Sequence, residues 1–256
     1  MATAMDHVQV LVDKIGPRPV STEEEGQAAQ YVAQSLIDMG LDVDIDEFAT
    51  PTGVRWPYVI AFFLAIIGII MSGIGTLAPS IGVTLSALGL ILTIVGWFLY
   101  HSEHSGHPLL SRMRTNGISQ NVVARYLPES ASRERRRRRI VILAHTDTVR
   151  AEFAGSPNVV KHLPLIKKII SYIMPVLPVL ALLRLLPLPW PDVVDLILWI
   201  IALIGCVVLL LAALDIIAHR FMSFISGAND NASGVLLCLQ QLKGYLTRKK
   251  ALSASR

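Results

Sequence analysis

Two long apolar blocks are the feature that most constrains how this chain of 256 residues can fold. The first block has no formally charged side chain between Arg55 and Glu103, and Leu77-Ala-Pro-Ser80 interrupts it near its middle. A helix needs about 20 apolar residues to cross the hydrocarbon core of a bilayer. Segments 58–76 and 81–100 each have about that length, so the sequence predicts a transmembrane hairpin.

The second block covers residues 165–217, and the proline-rich segment 187–192 divides it, because closely spaced prolines cannot continue a helix. Its second arm, 196–214, is uncharged and long enough to span a bilayer. Pro175 and Pro178 interrupt the first arm, which leaves a full span, a kinked helix and a re-entrant segment open. We expect a second hairpin, because two crossings of the membrane would place the polar segments before and after this block on the same side.

Composition separates a membrane protein from a soluble one here. Hydrophobic residues make up 53% of the chain and charged residues only 16%, against about 25% charged in ordinary soluble domains. This excludes a disordered tail, and it disfavours the alternative of two helical hairpins buried in a large soluble core. Arg184 apart, every lysine and arginine lies before residue 57, between 101 and 168, or after 217. The positive-inside rule therefore predicts a multi-pass integral membrane protein whose polar segments are cytoplasmic.

The polar segment before the first hairpin has helix signals and one strand signal. Apolar positions from Val8 to Ile15 recur at helical spacing and predict a short helix. Ser21-Thr-Glu-Glu24 has the pattern of a capping box and predicts the start of a second helix, which Gly40 ends. Asp42-Val-Asp-Ile-Asp46 then alternates polar and apolar residues, as a half-buried strand does.

Two further β-rich runs follow the first hairpin. Residues 121–127 and 139–144 are predicted to form a strand hairpin around the polar turn 128–138. The run 139–144 is almost wholly apolar, so we expect a strand that is covered on both faces. Together with the helices, these runs predict an α/β domain that the two apolar blocks interrupt.

A block of five arginines, Arg135, Arg136, Arg137, Arg138 and Arg139, ends that polar turn and begins the run that follows it. One interpretation is a solvated turn, and the other is contact with anionic lipid headgroups at the cytoplasmic surface. No aromatic residues interleave the block, so the sequence does not favour binding to nucleic acid.

Two short motifs have the residue types of a metal site. His145-Thr146-Asp147 follows the predicted buried strand, and Gly227-Ala-Asn-Asp230-Asn-Ala-Ser-Gly234 leads into a helix after the second apolar block. An imidazole binds a metal through one nitrogen while a carboxylate orients the other. By itself His-x-Asp is a common loop sequence, whereas the two motifs together are far more specific.

With these motifs the chain resembles the M28 family of zinc aminopeptidases. The resemblance includes Ile15-Gly-Pro-Arg18 and Asn121-Val-Val-Ala124, and it covers nearly all of the polar segments and none of the hairpins. It implies that His145 binds one of two Zn²⁺ ions, that Asp230 bridges both, and that Asp147 is the catalytic-site acid that supports His145. It also implies an α/β fold with a mixed sheet.

The resemblance divides the chain into parts of an interrupted peptidase-like domain and two insertions. In chain order these are the N-terminal helices and first strand (1–56), transmembrane hairpin 1 (57–100), the strand hairpin and His-x-Asp segment (101–164), transmembrane hairpin 2 (165–217), and the Asp230 motif with its helix (218–256).

The family continues with a Glu-Glu pair, an Asp and a His that complete the two-zinc site, and no acidic residue or histidine follows Asp230 here. We therefore expect the N-terminal portion of a membrane-anchored peptidase with an incomplete fold. Its peptide substrates require the C-terminal half, so we expect no turnover by this chain alone. The rival interpretation is a noncatalytic four-helix membrane scaffold or transporter-like subunit with a decayed peptidase fold.

Other ligand candidates are weaker. His101, His104 and His107 recur at intervals of three beside the first hairpin, but Gly106 and Pro108 favour a loop there. Glu152 and His219 are two further candidates, but nothing in the family pattern supports them.

Overall fold

The computed structural model describes residues 4–51, 55–77, 81–114, 116–126, 140–153 and 155–254. The arginine block 135–139 lies outside these residues. Within them the chain is mostly helical. In chain order its helices and strands are α1 (Ala4–Gln9), α2 (Glu23–Ile37), β1 (Asp42–Thr50), α3 (Trp56–Leu77), α4 (Gly82–His104), β2 (Gly117–Arg125), α5 (Pro157–Val160), α6 (Leu163–Leu185), α7 (Asp192–His219) and α8 (Ser233–Ala254).

The chain divides into two units. The polar unit consists of Met1–Thr52, Asn116–Arg150 and Ser223–Arg256, and the helical unit consists of Gly53–Thr115 and Ala151–Met222. The predicted segment 101–164 is thus shared between them.

The helical unit contains the apolar blocks that the sequence predicts to span a membrane. Its helices α3, α4, α6 and α7 are each long and apolar enough to do so. Helix α6 continues through Pro175 and Pro178, so the first arm of the second block is one helix of 23 residues. Buried residues of α3, α6 and α7, such as Ile69, Met174 and Leu209, form its core.

Small residues bring α3 and α4 into close contact. A Cβ atom on Gly89 would lie 2.4 Å from the carbonyl oxygen of Gly68, and one on Gly96 would lie 2.7 Å from that of Ala61. No larger side chain fits at either glycine unless the helices separate. Packing of this kind is common between helices in membranes, where contact between backbones replaces the hydrophobic driving force.

An ion pair joins the facing ends of α6 and α7. The Arg184 guanidinium donates two hydrogen bonds of 2.8 Å to the Asp195 carboxylate, and a third of 3.0 Å to the Ser72 hydroxyl of α3. The Arg184 side chain is only 3% exposed. On α7, Trp199 donates from its indole nitrogen to the Ile69 carbonyl of α3 at 3.2 Å. These bonds connect three helices at one level of the unit.

In the polar unit, α2 begins one residue later than the predicted capping box. Thr22 is the N-cap, and its hydroxyl accepts from the Glu25 amide. The Glu25 carboxylate accepts from the Ser21 amide at 2.6 Å, while its other oxygen accepts from the Ser119 hydroxyl of β2 at 2.6 Å. The predicted box at Ser21 and Glu24 is therefore wrong by one position, because Ser21 lies in the left-handed region, with φ of 64°.

Strands β1 and β2 form an antiparallel pair that runs from Asp42 opposite Arg125 to Thr50 opposite Gly117. The strand predictions at 42–46 and at 121–125 are confirmed, whereas Tyr126 lies past the end of β2 and residue 127 lies outside the described residues. Residues 121–125 pair with β1, and residues 140–144 form no strand, so the predicted hairpin between 121–127 and 139–144 is wrong over its described part.

The predicted buried strand at 139–144 is also wrong over its described part. Residues 140–149 have no strand structure, and Ile140 and Leu143 are 83% and 85% exposed. An apolar run becomes a buried strand only when other strands pair with it and layers cover its faces. In the described residues the sheet has two antiparallel strands, so the mixed sheet of the predicted α/β fold is not seen.

Helix α8 is the helix predicted to follow the Asp230 motif, and it contributes apolar residues to the core of the polar unit. Ala232 and two residues of α8, Val235 and Leu239, are nearly inaccessible. They pack in one cluster with Leu11 and with Val32 of α2. This cluster forms the core of the polar unit, and α8 begins directly after the loop that contains Asp230.

Candidate metal site in the polar unit

The His145 ring lies between the two carboxylates that the sequence singles out. Its Nδ1 lies 3.2 Å from Oδ1 of Asp147, and its Nε2 lies 3.2 Å from Oδ1 of Asp230. The side chains of His145, Asp147 and Asp230 are 50%, 31% and 65% exposed. The chain therefore brings together two motifs that lie 85 positions apart, at a surface that a ligand can reach.

His145 and Asp147 lie on an extended segment that backbone hydrogen bonds hold on its C-terminal side. The Thr148 amide donates to the Arg18 carbonyl at 2.8 Å, and the Ile225 amide donates to the Val149 carbonyl at 3.1 Å. These bonds fix the segment beside the chain that enters the Asp230 loop.

A tight turn at Gly227 positions Asp230. Gly227 has φ of 69° and ψ of 34°, and its carbonyl accepts from the Ala232 amide at 2.9 Å. A Cβ atom there would lie 2.3 Å from Cγ2 of Thr148, so the backbone approaches the His145 segment as only glycine allows. Asn231 follows Asp230 through a cis peptide bond, and its side-chain amide donates to the His145 carbonyl at 3.3 Å.

Arg18 is the residue whose role sequence reasoning missed. It is fully buried, and its guanidinium donates to the carbonyls of Thr146 at 2.8 Å, Gly16 at 2.6 Å and Ser226 at 3.2 Å, and also to that of Leu11. Burial lowers the pKa of this guanidinium from its ordinary value, and the Asp147 charge opposes the shift. The only signal in the sequence is its place in Ile15-Gly-Pro-Arg18.

The donor atoms of His145 and Asp230 fit one zinc ion. Tetrahedral zinc with bonds of about 2.05 Å separates two neighbouring ligand atoms by about 3.3 Å. The separation of 3.2 Å between Nε2 of His145 and Oδ1 of Asp230 is close to this value. Asp147 on the opposite ring nitrogen has the position of a carboxylate that orients a metal-binding histidine.

The arrangement supplies two ligands. In the part of the chain that the structure describes, no group of three or more His, Cys, Asp or Glu side chains is arranged to hold a metal ion. Further positions around a zinc ion would belong to water, substrate or other ligands.

The weaker candidates lie in the helical unit and have other contacts. His104 stacks on Tyr100 with a centroid distance of 5.5 Å, and His101 lies against Trp97 at 6.2 Å. Glu152 lies 3.6 Å from His219 and also near Arg55.

Comparison with known proteins does not assign a function, so the assignment rests on the residues of this site. No protein-family model, no curated protein and no solved structure matches the chain.

Proposed function

We propose that the polar unit belongs to a zinc aminopeptidase of the M28 type and that the helical unit anchors it in a membrane. The observation that carries the proposal is the position of His145, with Asp230 at Nε2 and Asp147 at Nδ1. The resemblance of both motifs to this family supports the same assignment. Peptides with a free N-terminus are the substrate class that follows from it.

The roles of the three side chains follow from their geometry. Nδ1 of His145 lies within 3.2 Å of both the backbone carbonyl oxygen and the carboxylate Oδ1 of Asp147, so a proton on Nδ1 leaves the lone pair of Nε2 available for a metal. Asp230 directs one oxygen to the same place, and because its side chain is 65% exposed, its second oxygen would be available to a second cation. When bound, a zinc pair supplies Lewis acidity that polarises a peptide carbonyl and activates water near neutral pH.

The membrane part of the proposal rests on four long apolar helices, and the orientation rests on charge. Lysines and arginines lie in the polar segments before α3, between α4 and α6, and after α7. Near the connection between α6 and α7 there is only Arg184, close to the C-terminal end of α6. We therefore assign the polar unit to the cytoplasmic side. Anionic lipid headgroups are the proposed partners of Arg135–Arg139.

Cobalt binding tests the metal site, because Co²⁺ replaces zinc in such sites and its absorption reports coordination by nitrogen and oxygen. The full chain in lipid nanodiscs is titrated with Co²⁺ and then with competing Zn²⁺. His145→Ala and Asp230→Ala each remove one ligand, and we expect at least a ten-fold loss of affinity. Asp147→Asn keeps both ligands, and we expect a loss of about ten-fold or more.

Asp44→Asn is the matched control, because Asp44 is an exposed acid of β1 in the same unit. We expect it to bind cobalt as the unchanged chain does. Failure of the unchanged chain to bind Co²⁺ or Zn²⁺ would overturn the proposal and favour the noncatalytic four-helix membrane scaffold. Equal binding by the His145 and Asp230 variants would place the metal elsewhere and would also overturn it.

A further inference from the structure

We infer that Arg18 is a positioning residue of this metal site, which sets the segment of His145 and Asp147 against the loop of Asp230. The inference rests on the proposed function for its metal and on hydrogen bonds for its geometry. Arg18 touches neither proposed ligand. It acts through hydrogen bonds to the backbone close to each of them.

The guanidinium connects both motifs directly. Nε donates to the carbonyl of Thr146, the residue between His145 and Asp147, at 2.8 Å. Nη1 donates to the carbonyl of Ser226, the residue before the turn at Gly227, at 3.2 Å. One rigid planar group thus fixes two segments that are 80 positions apart in the chain.

The backbone of Arg18 completes the attachment on the other side of Asp147. Its amide donates to the Thr148 hydroxyl at 2.7 Å, and its carbonyl accepts from the Thr148 amide at 2.8 Å. Arg18 therefore binds the residue before Asp147 and the residue after it. Rotation of this segment would break bonds at both positions.

Burial of the Arg18 guanidinium costs free energy, which indicates that its hydrogen bonds maintain a specific arrangement of the two segments. Arg18 is 0% exposed, and its Nη2 has no hydrogen-bond partner among the residues that the structure describes. A buried cation is expensive unless its donors are satisfied, and its identified hydrogen-bond partners are backbone carbonyls. Arginine suits this task because its donors form a fixed fork, whereas the donors of lysine share one nitrogen.

The metal site is sensitive to small shifts of these segments. Metal–ligand distances in working sites agree with their standard values within about 0.2 Å. A displacement of the Thr146 backbone by about 1 Å would move Nε2 of His145 away from the oxygen of Asp230 and remove the shared position. Loss of Arg18 should therefore weaken metal binding in a protein that is still folded.

Arg18→Met tests this, because methionine keeps an unbranched apolar stem and removes every donor of the guanidinium. Arg125→Met is the matched control, since Arg125 is an exposed arginine at the end of β2. The full chains in nanodiscs are compared in cobalt affinity and in amide hydrogen exchange at Thr148 and Ile225. We expect Arg18→Met to lose about ten-fold or more in cobalt affinity and to exchange faster at both amides, with Arg125→Met unchanged.

Two milder variants keep the test decisive if Arg18→Met does not fold. Arg18→Lys retains the charge but not the fork, and Thr148→Val removes one bond to the Arg18 backbone. We expect both to remain folded with cobalt affinity between those of the unchanged chain and Arg18→Met. Cobalt affinity in folded Arg18 variants equal to that of the unchanged chain would overturn the inference, even with lowered resistance to unfolding.

Failure of the proposed function gives a different pattern. If the unchanged chain binds no metal, the zinc site is rejected, and hydrogen exchange alone decides the role of Arg18. Faster exchange at Thr148 and Ile225 in Arg18→Lys or Arg18→Met would support positioning of the two segments. Unchanged exchange would reject it.

Discussion

Gly227 is the residue of the candidate site at which backbone conformation and available space most restrict the choice of amino acid. Its φ of 69° is costly for other residues, and a Cβ atom would lie 2.3 Å from Thr148 and 2.8 Å from Nη2 of Arg18. The turn before Asp230 and the close contact with the His145 segment therefore both require a residue without a side chain at position 227.

Gly227→Ala is expected to destabilise the polar unit by about 2 kcal/mol or more, because strain in φ adds to a steric overlap. Denaturant unfolding, followed by the near-ultraviolet signal of Tyr31 and Tyr245, measures the change. Gly244→Ala is the control, since Gly244 lies within α8 with nothing within 4 Å of the added atom. It should be neutral or stabilising by up to about 1 kcal/mol. Equal effects of the two changes would contradict the role of the turn.

His7 gives the polar unit a pH dependence with a definite sign. Its Nδ1 lies 2.7 Å from the Tyr31 hydroxyl, and burial followed by the Lys243 charge lowers the pKa of His7, against the opposing charge of Asp6. The unfolded chain therefore binds more protons than the folded one below about pH 6.5, so stability falls as the pH drops through that value to below the lowered pKa.

His7→Gln is expected to remove that part of the slope, because glutamine does not titrate. The free energy of unfolding, measured between about pH 7.5 and 5, should fall less steeply in the variant than in the unchanged chain. Identical slopes would show that another group is responsible.

The sequence singles out the three candidate residues His145, Asp147 and Asp230, and the structure brings them together, whereas the contacts of Arg18 were not predictable. His145, Asp147 and Asp230 belong to residue types with metal chemistry, and their flanking glycines and apolar runs mark turns and helices. Arg18 acts through its donors to backbone carbonyls, and burial of a cation leaves no periodic pattern in a sequence.

At the scale of elements, hydropathy and periodicity locate helices and strands but do not choose their partners. The long helices and both strands lie close to their predicted ranges, because length and pattern determine them locally. The pairing of β2 with β1 and the hydrogen bond from Ser119 of β2 to Glu25 of α2 both join residues that are far apart in sequence. The exposed run Ile140–Leu143 has the composition of a buried strand but lacks strand pairing. Composition alone could not reveal that.

Asp195→Asn tests the connection between α6 and α7. The change leaves the Arg184 guanidinium, 3% exposed, without its counter-charge, and we expect a loss of about 3 kcal/mol. Unfolding of the full chain in mixed micelles of increasing SDS fraction measures it. Asp192→Asn is the control, because Asp192 is an exposed acid in the same first turn of α7. The double change Arg184→Met with Asp195→Leu should recover much of the loss, and a further loss would contradict the explanation.

At the scale of the whole molecule, apolar and charged residues are separated into different segments of the chain. Four apolar helices supply most of the hydrophobic residues, and the acidic and basic side chains are concentrated in the polar segments. A chain with this distribution is consistent with a multi-pass membrane protein, and its orientation is open to direct measurement.

Single cysteines test the orientation in a background without Cys206 and Cys238. Leu188→Cys lies at the exposed tip between α6 and α7, and Ser105→Cys lies at the exposed C-terminal end of α4. In intact cells an impermeant thiol reagent should label Leu188→Cys and leave Ser105→Cys unlabelled until the membrane is permeabilised. The reverse pattern would place the polar unit outside.

The hydrogen bond from Arg18 to Ser226 closes across 208 positions of the chain. At about 5–20 residues per second, the ribosome needs roughly 10–40 s to make the intervening residues. For that time the N-terminal segment is a nascent chain whose arginine has only part of its final partners, while the four long apolar helices are being synthesised. Completion of the polar unit is therefore a late event in biosynthesis, and chaperones have that interval in which to bind its exposed apolar surfaces.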